Sequence, residues 1–201
     1  FIKMPSVAPL RLVFAHGLTC THEKDCGVDI FHEALGALDN SMRALIYTAR
    51  GHGASSGWQP CPLEAFHWGS LACDLLHVAE AHGLSRFVAA GQSMGAATAL
   101  YAALQAPESV DALILVRPPT AWDVRKDRVG GLRQTASELR ARGEYAKSRV
   151  LEGAAGADLP PEEKELYAPL AGKPVLILCH GEDDVHPVST GVALARLIPP
   201  H

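Results

Sequence analysis

The sequence predicts an α/β domain, a mostly parallel sheet with helices on both faces. Two observations carry that prediction. Five short apolar runs are continuous rather than alternating, as strands covered on both faces are, and helix-length stretches separate them. Strand and helix repeated in this way form a layered α/β domain. With 201 residues, 48% hydrophobic and 20% charged, the chain can bury one sizeable core.

The first run, RLVFA (11–15), is followed by a helical stretch at about 27–39 and then by ALIYT (44–48). A longer helical stretch near 63–82 leads to RFVAAG (86–91), and an Ala-rich helix over 94–106 leads to ALILV (112–116). The last run is PVLILC (174–179), followed by the helical VSTGVALARLI. Residues 118–173 separate the fourth run from the fifth by more than one crossover helix needs. Leu132, Ala136 and Leu139 fall there at helical spacing, and Gly143, Gly153, Gly156 and Pro160-Pro161 punctuate the rest. The reading is a core of 1–117 and 174–201 with two or three short amphipathic helices inserted as a cap over 118–173.

Charge and cysteine usage exclude several function classes. A net charge of −4 with mixed signs offers no footprint for a phosphate backbone, so nucleic acid is not expected as a partner. No apolar run approaches the roughly 20 residues that cross a bilayer, so no membrane is expected either, and the default location is cytoplasmic. Five cysteines at irregular spacing read as reduced thiols. Cys20, His22, Asp25 and Cys26 gather in CTHEKDC, but their spacing fits no common zinc pattern, and no metal or other cofactor is expected. GQSMGA has serine where a dinucleotide fingerprint needs its second glycine, and no Walker lysine follows.

The chemistry concentrates at the ends of the apolar runs. In AAGQSMGAAT, Ser93 sits between Gly91 and Gly95, after a buried strand and before a helix. A serine on such a turn stands clear of the sheet, with helix N-terminal amides behind it for a developing oxyanion. After the first run, His16-Gly17 precedes Leu18, and Gly17 lets the Leu18 amide turn toward the site. With the Met94 amide this gives two oxyanion donors. His16 itself reads as a turn histidine bonded to backbone. After the last run, Asp183 and Asp184 compete, with Glu182 behind them, to orient a histidine imidazolium.

These residues resemble the α/β-hydrolase superfamily. The resemblance runs from about residue 10 to the end, on His16-Gly17-Leu18, Arg50-Gly51-His52-Gly53-Ala54-Ser55, Gly91-Gln92-Ser93-Met94-Gly95 and Gly181-Glu182-Asp183-Asp184, in that order. It implies that the first strand is flanked by the second on one side and by the other three on the other side. It implies a Ser-His-Asp hydrolase acting on a small ester-like substrate through an acyl-enzyme, with Ser93 as nucleophile and Leu18 and Met94 as oxyanion donors. The G-x-x-D match makes Asp184 the acid, whereas an acid after the preceding strand would be Asp123. Esterase, thioesterase, lactonase, C–C hydrolase and perhydrolase all use this constellation, and the sequence does not choose among them or indicate an oligomeric state. Serine on the elbow argues against epoxide hydrolases and haloalkane dehalogenases, which use Asp there.

The family's general base follows one further strand, and no histidine stands in that place. His186 lies in the acid loop and His201 comes too early, while His52, His67, His77 and His82 read as turn or helix positions. The base is therefore expected beyond residue 201, in a longer polypeptide. The alternative is an inactive binding or interaction module. Trp122, Tyr145, Tyr167 and Trp58 are candidates to line an acyl pocket or to form the cap's own core, and Arg117 reads as solvated.

Overall fold

A computed structural model describes residues 10–23, 42–56 and 61–200. All five apolar runs are strands: β1 (Leu10–Ala15), β2 (Met42–Tyr47), β3 (Phe87–Gln92), β4 (Val110–Val116) and β5 (Val175–Leu178). They pair in the order β2-β1-β3-β4-β5, every pair parallel. The helices are α1 (Trp68–Ala81), α2 (Met94–Gln105), α3 (Trp122–Ala141), α4 (Tyr145–Gly156) and α5 (Val188–Leu197), with 3-10 turns at Gly53–Ser56, Leu63–Phe66 and Lys164–Leu170. The helix expected at 27–39, like Trp58, Asp25 and Cys26, lies outside the described residues. No helix among the described residues is long and apolar enough to cross a membrane.

β3 is buried along its whole length, which is why its sequence shows no alternation. β5 departs from the expectation that all five runs are covered on both faces. Val175 and Ile177 pack against the core, but Leu176 and Leu178 are 49% and 45% exposed. As the end strand of the described sheet it has an inward face and an open one, although its sequence reads as apolar throughout.

The larger core lies between the sheet and α1, α2, α5 and the Lys164–Leu170 turn, with Leu71, Leu75, Leu100, Leu113 and Leu194 almost fully buried. Each such side chain contributes roughly 1.5–3 kcal/mol by leaving water. Tyr167 is buried in this core and donates its hydroxyl hydrogen to the carbonyl of Pro160 at 3.0 Å. Leu12, Phe14, Val88 and Ala90 form a second cluster.

The insertion between β4 and β5 holds α3 and α4, and its first helix, at 20 residues, is longer than the short helices expected. Two glycines bring strand and helix together at the centre of the molecule. A Cβ on Gly91 would strike the Gly95 backbone, and one on Gly95 would strike the carbonyl of Ala15. The start of α2 is thereby pressed against the ends of β1 and β3. These neighbouring strands send their following chain in opposite directions, to β2 and to β4, which creates the crevice where open α/β sheets place ligands.

Candidate active site

Ser93 sits in that crevice, between β3 and α2, with φ 54° and ψ −115°. A positive φ is strained for any residue with a Cβ, and such strain persists only where the surroundings impose it. Here the Ser93 amide donates to the Val116 carbonyl at 3.0 Å, and the two glycines close the turn. Gly17, in the loop after β1, lies against the Ser93 side chain, a Cβ built on it being 3.8 Å from Ser93 Cβ. Leu18, Ser93 and Met94 line one cavity. Met94 is the first residue of α2, so its N–H has no partner within the helix.

An imidazole faces the serine. His186 Nε2 lies 2.8 Å from Ser93 Oγ, and His186 Nδ1 lies 2.8 Å from Asp183 Oδ2. A carboxylate oxygen only accepts, so Nδ1 carries the hydrogen and Nε2 is left to accept the Ser93 hydroxyl hydrogen. Asp183 Oδ1 also accepts the main-chain N–H groups of Val185 and His186, each at 3.0 Å, folding the loop back on its carboxylate. Thr120 N–H donates to the Val185 carbonyl at 3.0 Å and ties the loop to the chain after β4. Burial by itself would raise the Asp183 pKa. The hydrogen bonds from His186 and Val185 outweigh it and hold the carboxyl below its ordinary range.

The geometry differs from two expectations. Position along the chain puts His186 in the acid loop and points to a base beyond residue 201. Yet an imidazole three residues after the carboxylate reaches both the acid and Ser93, because the loop turns back on Asp183. Asp184 was expected as the acid, but it is exposed, and the carboxylate that meets the imidazole is that of Asp183. The other candidate, Asp123, is 94% exposed at the start of α3 and paired with Lys126. The signal available in the sequence was Asp183 followed at i+2 and i+3 by amides it can cap, then Pro187 to end the turn. Arg117, read as solvated, lies with Nη1 3.9 Å from Asp183 Oδ2.

The other two histidines near the elbow are bonded to backbone. His16 accepts the Ala49 N–H at 2.9 Å on Nε2, and its Nδ1 donates to the Gly17 carbonyl at 2.8 Å. His52 accepts the Thr19 N–H at 3.2 Å on Nε2, and its Nδ1 donates to the Arg50 carbonyl at 3.0 Å. Their rings meet edge to face at 4.9 Å. Burial, then the neighbouring His16 ring, pushes the His52 pKa down to about 4. Arg50 forms a two-point ion pair with Asp74 on α1, which anchors the turn that carries His52.

Two cavities flank the loop after β1. The larger, about 760 Å³, lies among Thr19, Cys20, His52 and the α3–α4 junction, and Ser93 does not line it. The smaller, about 70 Å³, contains Ser93, Leu18 and Met94, closed by Trp68, Arg125 and Arg128 among others. Of the aromatic candidates, Tyr167 belongs to the core, Trp122 is tied to the Pro160 carbonyl at 2.9 Å, and Tyr145 is 64% exposed beside the larger cavity. Trp68, at the start of α1, reads in the sequence as an ordinary helix position.

A family model described as the alpha/beta hydrolase fold matches residues 11–146. The chain belongs to the alpha/beta hydrolase fold family. This α/β hydrolase is 31% identical over 119 residues to ethanol acetyltransferase 1 of Kluyveromyces marxianus, a match covering 57% of the chain and 29% of that protein. It is 35% identical over 80 residues to a putative carbamate hydrolase, RutD, of Klebsiella pneumoniae, covering 40% of the chain and 29% of the relative. The chain thus spans less than a third of the length of either relative. In fold it is similar to a thermophilic esterase from Thermogutta terrifontis, with a TM-score of 0.67 and 22% identity over 94% of this chain and 78% of that one. The family is one of hydrolase-type enzymes.

Proposed function

We propose that this α/β hydrolase cleaves an ester-like bond through an acyl-enzyme on Ser93. The observation that carries the reading is the imidazole of His186 held 2.8 Å from both Ser93 Oγ and an Asp183 carboxylate oxygen. As Ser93 Oγ attacks the carbonyl carbon, Nε2 takes the hydroxyl proton and Asp183 stabilises the resulting imidazolium. The carbonyl oxygen becomes an oxyanion, for which the Leu18 and Met94 amides are the donors. The imidazolium then protonates the leaving alcohol, and the acyl group remains on Ser93. Water, deprotonated by the same imidazole, releases it as a carboxylic acid.

The similarity to an ethanol acetyltransferase favours a second acceptor, because an alcohol in place of water would receive the same acyl group. The segment over 118–173 acts as a cap, its helix α3 closing the nucleophile's pocket. Cys61, Cys73 and Cys179 form no disulfide among the described residues, which supports a cytoplasmic setting.

Labelling with a fluorophosphonate tests the reading. The wild type is expected to be labelled and Ser93→Ala not, with ester hydrolysis lost in parallel. Labelling that survives Ser93→Ala places the nucleophile elsewhere, and no labelling of the folded wild type favours the binding module.

A further inference from the structure

We infer that the pocket at Ser93 selects a short acyl chain ending in a carboxylate, recognised by Arg128 together with Arg125; the inference rests on the hydrolase reading above. The pocket has a volume of about 70 Å³. At roughly 10–15 Å³ per water-sized probe, that is room for about five heavy-atom groups. A succinyl-sized tail fits within it.

The charge in so small a space is unusual. Arg125 is 5% exposed, lies 4.2 Å above the Trp68 ring, and donates to the carbonyls of Ala157, Thr120 and Ala154. Three of its five N–H groups are thereby used. Those acceptors, two of them at the C-terminal end of α4, explain why an arginine can be buried here, but carbonyls carry only partial charge. The carboxylate that influences Arg125 is Asp158, whose oxygens accept the main-chain N–H groups of Trp122 and Leu159. Burial pulls the Arg125 pKa down to about 10, so the group stays cationic at neutral pH. One turn further along α3, Arg128 lines the same pocket and adds like charge to Arg125. Neither guanidinium forms an ion pair with a carboxylate among the described residues. A helix-capping role accounts for Arg125 alone. Two cations around a nucleophile's pocket are matched by an anionic substrate group, which guanidinium binds through charge-assisted hydrogen bonds.

A matched pair of esters tests this. Monoethyl succinate carries the carboxylate, and ethyl 4-methylpentanoate replaces it with an isopropyl group of the same shape. We expect wild-type kcat/KM, read from ethanol released, to favour the succinate by about tenfold or more. The preference should shrink with added salt, collapse in Arg128→Gln and invert in Arg128→Glu. Arg128 is exposed, so neither change disturbs the core, and Arg133→Gln, on α3 but outside the pocket lining, should keep the wild-type ratio. A wild-type ratio near or below one, or a preference that survives Arg128→Gln, overturns the inference while Ser93 labelling leaves the hydrolase reading intact. No labelling and no turnover of either ester overturns both.

Discussion

His16 with His52 on one side of Ser93, and His186 on the other, differ in what their ring nitrogens meet. All three sit in turns after strands, and in all three the Nδ1 partner is an oxygen that only accepts, so Nδ1 carries a hydrogen. His16 and His52 place both nitrogens on main-chain groups, so they fix the loop that carries Leu18 and have no lone pair left for substrate. His186 places one nitrogen on a carboxylate and the other on a hydroxyl. Turn position does not distinguish them. The partners of the two nitrogens do.

The largest effect that could break this contrast is at His186. His186→Ala should lower kcat/KM for an ester by about 10³–10⁴, since the base and the leaving-group acid are removed together. His16→Ala should act in the opposite category. It leaves the Ala49 N–H and a Gly17 carbonyl without their buried partner and should cost about 2–4 kcal/mol in urea unfolding. An active His186→Ala enzyme would place the base elsewhere, in line with the expectation of a histidine beyond residue 201.

Asp183→Asn comes next, with an expected loss of about 10²–10⁴ in kcat and little change in KM. The amide oxygen can still accept from Val185 and His186, so the loop survives. The amide nitrogen, however, meets Nδ1 with hydrogens and drives the proton to Nε2, where it faces Ser93 and cannot accept. A pure loop role for Asp183 predicts instead that Asn restores nearly full activity.

A pH experiment sharpens the other half of the comparison. The His52 pKa is lowered from 6.5 to about 4, so folding favours its neutral form. The stability it contributes is fully present above pH 6.5 and is lost as pH falls toward 4, by an amount of about 3 kcal/mol at most. In His52→Asn, whose amide oxygen can still accept the Thr19 N–H, the unfolding free energy should fall less steeply across that window. An identical slope in wild type and variant would mean that the buried ring does not govern acid stability.

Much of this was legible in the sequence because it is local. Continuous apolar runs report burial on both faces of a strand, and Gly91 and Gly95 report a strand–helix contact with no space for a side chain. The strand order was legible through the resemblance. The contact of His186 with Ser93 was not, because whether His186 reaches Ser93 depends on how sharply the chain turns after Gly181, and one residue more or less exchanges Asp183 for Asp184 at the imidazole. Leu176 and Leu178 were misleading for a similar reason, since an apolar strand reads alike whether or not something covers it. The arginines on α3 were unreadable because their meaning depends on a pocket formed by five segments distant in sequence.

Asp184→Asn is the smallest expected effect and the most discriminating one. Motif spacing assigns the acid to this residue, and the folded loop puts its neighbour against the imidazole. Asp184 is exposed, and the groups that position His186 are bonded to Asp183, so removing the Asp184 charge should change kcat/KM by less than about twofold. Any residual effect would be long-range attraction to the imidazolium and should disappear at high salt, where exposed charges are screened. A loss of a hundredfold or more, persisting in salt, would instead show that the loop rearranges when substrate binds and that Asp184 replaces Asp183 behind the imidazole.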